Sequence, residues 1–130
     1  MTLVGNFMVH LDTNFLISAI QPGSPEDAHL RSWLGAGESL GISAVAWAEF
    51  FCGPLPQNDE RVARQLFQRV ETLSQVDAEM AAHLFNQTGR RSRSLSDCMI
   101  AATAIRCGAR LATINNHDFR LFAAHGLKLA

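Results

Sequence analysis

No apolar run in this 130-residue chain approaches the roughly 18 residues needed to cross a bilayer, which argues against a membrane-spanning helix. The opening segment, Met1 to Met8, lacks a charged stretch, and no small-residue cleavage site follows it, so no signal peptide is expected and a cytoplasmic location is. Cysteine is scarce. Cys52, Cys98 and Cys107 make an odd number without C-x-x-C spacing, which excludes a disulfide framework and a cysteine zinc site. Cys98 and Cys107 lie in an apolar segment and read as small core residues, with no base nearby to activate a thiol. Lysine is nearly absent: Lys128 is the single one, against ten arginines. Repeats, linkers and low-complexity tracts are also missing, which leaves one domain spanning residues 1–130.

What is present suits a compact fold, with 48% hydrophobic and 18% charged residues. Short apolar segments at Phe7–Leu11, Leu40–Ser43, Val70–Leu73, Arg110–Thr113 and Gly126–Leu129 predict strands. Between them lie helical patterns. Thr13 or Asn14 is expected to cap a helix reaching Ile20, and Ser24-Pro25-Glu26-Asp27 is a cap, a first-turn proline and first-turn acids. Ser43 is expected to cap a helix to Cys52, and Asn58–Arg69 and Val76–Thr88 read as amphipathic helices, the latter stopped by Gly89. Ser96 is expected to cap a helix to Cys107 with Gly108 behind it, and Asp118–His125 a last helix. Short strands alternating with helices predict an α/β three-layer sandwich, with a short, mainly parallel sheet of about five strands. Ligands of such sheets bind at the carboxyl ends of the strands.

Four of the twelve acids sit in apolar company: Asp12, Glu49, Asp97 and Asp118. Buried carboxylates need a partner or a cation. Singly, Asp97 and Asp118 can be helix-start acids favoured by the macrodipole, and Asp12 a strand terminator. Glu49, flanked by Trp47, Ala48, Phe50 and Phe51, leaves little room for a solvated face. Together they suit Mg²⁺ or Mn²⁺, hard cations that take oxygen ligands, relieve carboxylate repulsion and activate water against a phosphodiester. Thr13, Asn14, Ser43 and Asn115 are candidate supporting polar groups. Without the four acids the net charge of −1 becomes +3, from 8 acids against 11 bases. Arg90-Arg91-Ser92-Arg93 is the densest basic patch, open to reading as a solvated loop or a phosphate contact.

Other residues carry less. His10 reads as a satisfied core histidine and His117 as a surface residue at a helix start. His29, His83 and His125 show no zinc spacing. Trp33, Trp47 and the phenylalanines read as core or dimer contacts rather than base-stacking platforms.

Four segments in order resemble the PIN domain family, and most of all its small VapC-type toxins: Leu11-Asp12-Thr13-Asn14-Phe15-Leu16-Ile17; Ile42-Ser43 with Ala48-Glu49-Phe50; Asp97 with Ile100-Ala101-Ala102-Thr103-Ala104; and Leu111-Ala112-Thr113, Asn115 and Asp118-Phe119. The resemblance implies a Mg²⁺- or Mn²⁺-dependent endoribonuclease with Asp12, Glu49, Asp97 and Asp118 as its catalytic, metal-holding cluster. It implies an RNA substrate, a homodimer and a small inhibitory antitoxin protein. Arg90, Arg91 and Arg93 are then candidates for contact with RNA or antitoxin. Two alternatives stay open: a PIN-like nuclease of RNA maturation or DNA processing, and a non-catalytic binding module.

Overall fold

The computed structural model describes residues 7–88 and 95–130. Gly89 and the arginines Arg90, Arg91 and Arg93 lie outside the described residues. The chain runs β1 (Met8–Leu11), α1 (Thr13–Ala19), α2 (Pro25–Gly35), β2 (Ser39–Ser43), α3 (Ala44–Phe51), α4 (Gln57–Leu66), β3 (Val70–Glu71), α5 (Gln75–Gln87), α6 (Leu95–Arg106), β4 (Arg110–Ala112), α7 (Asn116–Phe119), a 3₁₀ turn (Arg120–His125) and β5 (Lys128–Leu129). The expected last helix is thus a single α-helical turn continued as 3₁₀, closed by Gly126 at φ 103°.

The five strands form one sheet in the order β3-β2-β1-β4-β5, and every pairing is parallel. The seven helices flank it. The chain winds outward through β2 and β3 on one side of β1, then crosses to lay β4 and β5 on the other. β1 is therefore the point where the winding reverses, and a crevice opens at the carboxyl ends of β1 and β4. The Asp12 N–H donates to the Ala112 carbonyl at 3.0 Å, which joins the two strand ends at that crevice.

Local chemistry explains most boundaries. Ser24 accepts the Asp27 N–H, with Pro25 at the first helical position, and Ser43 accepts the Ala46 N–H at 3.1 Å. Ser74 and Asp77 form a reciprocal capping box on α5. Two expected caps move. Asp12, not Thr13 or Asn14, caps α1, because its own carboxylate accepts the Phe15 N–H at 2.8 Å. Ser96 is the second residue of α6 rather than its cap, since the helix already begins at Leu95.

The core lies on both sides of the sheet, around Val9, Leu11, Leu16, Ile42, Leu84, Leu111 and Phe122. α6 buries Cys98, Ile100, Ala101, Ala102, Thr103 and Ala104, and these mostly small side chains let it lie close to its neighbours; α5 packs along it. The Arg106 guanidinium ties the two helices together, 2.7 Å from the fully buried Asp77. His10 departs from expectation. It is 1% exposed, yet neither ring nitrogen has a hydrogen-bond partner among the described residues. Its ring lies against Gly41 on the neighbouring strand, where an added Cβ would come within 2.8 Å of His10 Cδ2. Only a glycine leaves room for that imidazole. No described helix is long and apolar enough to cross a membrane.

Candidate active site

Three of the four expected acids meet in one cleft. Asp12 arrives at the end of β1, Glu49 from the second turn of α3, and Asp97 from the first turn of α6. With Thr13, Asn14, Ile100 and Asn115 they line a hollow of about 160 Å³. Larger hollows of about 480 and 400 Å³ occur elsewhere, but neither gathers three carboxylates. Asp118 and Ser43 are not among the lining residues. Asp118 lies half-buried on α7, its N–H bonded to the Asn115 carbonyl. Ser43 is 2% exposed and spends its hydroxyl on capping α3, the helix that carries Glu49.

The acids are held differently from one another. Asp12 is the deepest, 4% exposed. Burial pushes its carboxyl above the usual aspartate range, the Thr113 hydroxyl and the Phe15 N–H oppose that rise, and the Glu49 charge reinforces it. Glu49 is exposed, contrary to the expectation from its flanks. On α3 the buried residues are Ala46 and Phe50, one turn apart, so the helix turns Glu49 away from the core. The surrounding aromatics pack against one another instead, with Trp47 edge-on to Phe51 and Phe67.

Glu49 is nonetheless fixed. Its Oε1 accepts the Thr13 hydroxyl at 2.8 Å, and its Oε2 accepts the Ser96 hydroxyl at 3.0 Å. Because Asp12 caps α1, Thr13 is released from that duty and can make this bond. Thr113 plays a similar part on the other wall: its oxygen accepts the Asn115 N–H at 2.9 Å while it hydrogen-bonds Asp12.

Ser96 and Thr113 are the residues that the sequence did not single out as supporting groups. The only signals for them were adjacency to Asp97 and a place at the end of a strand. Conversely, Asp77 is more buried than any of the four acids, and its partner is Arg106 rather than a ligand.

The donor set is all oxygen, as a hard cation requires. Among the described residues no three His, Cys, Asp or Glu side chains stand close enough to ligate one ion together. Burial of Asp12 near the Glu49 charge is the feature that a cation would relieve.

The PIN domain family model matches residues 9–124. The fold is similar to that of VapBC2 from Rickettsia felis, solved bound to a DNA fragment from its promoter, with a TM-score of 0.75 and 19% identity over 95% of this chain and 98% of that one. It is similar to a toxin–antitoxin complex from Klebsiella pneumoniae, with a TM-score of 0.69 and 26% identity over 85% of this chain and 89% of that one. It is also similar to VapC20 from Mycobacterium tuberculosis, described as a sarcin-ricin loop cleaving toxin, with a TM-score of 0.66 and 16% identity over 94% and 98% of the two chains. No protein of curated function matches the chain.

Proposed function

The chain belongs to the PIN domain family, and from that premise we propose that it is a VapC-like toxin, an endoribonuclease that hydrolyses RNA phosphodiester bonds with Mg²⁺ or Mn²⁺. The observation that carries this reading is the convergence of Asp12, Glu49 and Asp97, from three separate elements, on one cleft at the reversal point of the sheet. The similarity to toxin–antitoxin complexes supports a small antitoxin as partner. A homodimer in the cytoplasm is part of the same proposal.

In this reading Asp12 and Asp97 hold the cation. When bound, it lowers the pKa of an attacking water and stabilises charge on the phosphodiester. The remaining work falls to the chain. Phe15 N–H and the Thr113 hydroxyl hold the Asp12 carboxylate in one orientation. Glu49, fixed by Thr13 and Ser96, accepts a hydrogen bond from the attacking water and aims it. The amides of Asn14 and Asn115 line the same cleft and offer N–H donors to phosphate oxygens. Ser43 serves indirectly by starting α3. Asp118, one turn past Asn115, adds negative charge to the edge of the site.

Purified wild-type protein is expected to cleave single-stranded RNA in Mg²⁺ or Mn²⁺ and to stop in EDTA. Asp97→Asn is expected to lower kcat/KM by at least about a hundredfold with an unchanged circular dichroism spectrum, since even groups outside a metal's direct ligands cost 10–100-fold when lost. Full cleavage by both Asp97→Asn and Asp12→Asn, or cleavage indifferent to EDTA, would overturn the proposal. Expression of the chain alone is expected to arrest growth.

A further inference from the structure

Beside the acidic cleft lies a second hollow, of about 360 Å³, that the phosphodiester chemistry does not use. Two segments contribute to both. In the first, Asp12, Thr13 and Asn14 face the acids, and the next residue, Phe15, lines the second hollow. In the other, Asn115 faces the acids, while its neighbours Ile114 and Asn116 line the second hollow and Thr113 bridges the two through its bond to Asp12. The two hollows thus share these two segments in their walls.

The second hollow has a distinct chemistry. Phe15, Trp33 and His29 form a run of stacked rings, with Phe15 and Trp33 centroids 5.6 Å apart at 27° and His29 and Trp33 centroids 5.8 Å apart at 26°. The run climbs from buried Phe15 through half-buried Trp33 to exposed His29. Ile114, 48% exposed, supplies an apolar side, and Glu26 and Asn116 supply a carboxylate and an amide. An exposed flat ring backed by a stack, an apolar side wall and two polar edges form a cradle for a planar heterocycle with N–H and carbonyl groups on its rim. The sequence alone had assigned Trp33 to core or dimer contacts. Its partner His29, left at the surface one turn earlier on α2, changes that reading.

We infer that this hollow is a nucleobase subsite: it takes the base of a ribonucleotide next to the scissile phosphodiester, stacked on His29 with Trp33 behind it, and so selects where the strand is cut. The inference rests on the ribonuclease reading above, because the base is placed by a phosphate in the neighbouring acidic cleft. Stacking sets the affinity of the subsite, and hydrogen bonds to Glu26 and Asn116 set its preference among bases.

The test uses the intrinsic fluorescence of Trp33. The chain has two tryptophans, so Trp47→Phe leaves Trp33 as the sole reporter. In Mg²⁺, at times too short for cleavage, hexaribonucleotides of A or of U are titrated into that variant, alongside a hexamer of abasic ribose phosphates. The base-bearing hexamers are expected to quench saturably and the abasic one is not. His29→Ala, a change at an exposed position, is expected to weaken the quenching titration by roughly fivefold or more, while His29→Phe keeps it. Absence of quenching by either base-bearing hexamer, or an identical titration for His29→Ala, overturns the subsite. Cleavage of a mixed-sequence RNA in Mg²⁺ separates this from the parent reading. Wild type that cuts RNA while His29→Ala keeps the same KM and cut pattern removes the subsite and leaves the nuclease. Base-dependent quenching in a protein that cuts no RNA keeps the subsite and removes the nuclease.

Discussion

Lowering the pH should destabilise this protein through one residue, His10. Its imidazole is 1% exposed on the central strand, and neither nitrogen is hydrogen-bonded among the described residues. Burial pulls its pKa from 6.5 down to about 4; Glu71 works against that shift and Arg106 adds to it. A histidine whose folded pKa is depressed binds its proton more readily when unfolded, so stability falls as pH drops through the window between 6.5 and about 4. At pH 7.5 the ring is neutral in both states and contributes almost nothing. At pH 5 the unfolded state is protonated and the folded state is not, which costs about 2 kcal/mol, rising towards about 3 kcal/mol below pH 4. With an unfolding entropy scaled to this chain length, about 2 kcal/mol corresponds to a Tm fall of about 7 °C.

Other groups titrate in the same range, and Asp12, whose carboxyl is raised, acts with the opposite sign. The informative quantity is therefore a difference of differences. Thermal unfolding is followed at pH 7.5 and pH 5 for wild type and for His10→Leu, which keeps the volume and removes both orphaned nitrogens. The wild type should lose about 7 °C more than the variant between the two pH values. Equal losses would show that His10 is either solvated or partnered, and would refute the reasoning.

Three further outcomes follow from particular contacts. Gly41→Ala should cost about 1–3 kcal/mol, because its Cβ would stand 2.8 Å from the His10 ring; urea denaturation checks it, and His10→Ala in the same chain should recover most of the loss. Asp12→Asn should raise Tm in EDTA at pH 7.5. A carboxyl with a raised folded pKa costs stability above its unfolded pKa, and the amide removes that charge while still capping α1; a lower Tm would contradict the electrostatic reading. Ser96→Ala should reduce kcat/KM for RNA roughly tenfold, with Tm nearly unchanged, since it frees one oxygen of an exposed Glu49; full activity in the Thr13→Val, Ser96→Ala double variant would remove Glu49 orientation from the mechanism.

Some of this was readable in the chain before any coordinates. Ser24 before Pro25 and Ser43 before Ala44 start helices as expected, because a cap needs only a side chain and an N–H a few residues on. Strands alternating with helices imply a parallel sheet, because a parallel pair needs a crossover between its strands. Of the four acids singled out together in the sequence, Asp12, Glu49 and Asp97 line one cleft, and Asp118 is not among its lining residues.

Other features were not local. Glu49 in apolar company read as buried and is exposed, whereas Asp77, in an ordinary amphipathic helix, is fully buried against Arg106. Flanking residues do not say which way a helix is turned; that depends on which stripe its neighbours cover. Asp12 took the cap expected of Thr13, and the consequence reached thirty-six residues away, at Glu49.

By itself, then, the sequence determined the elements, their order and the acids worth watching, since propensity, caps and periodicity act within a few residues. Only the tertiary structure decided that β1 lies between β2 and β4, that Ser96 and Thr13 clamp one carboxylate, that His10 has no hydrogen-bond partner among the described residues, and that a stacked histidine and tryptophan line a hollow sharing two segments with the acidic one. Those are contacts between segments far apart in the chain, and they exist only once the crossovers have set the strand order.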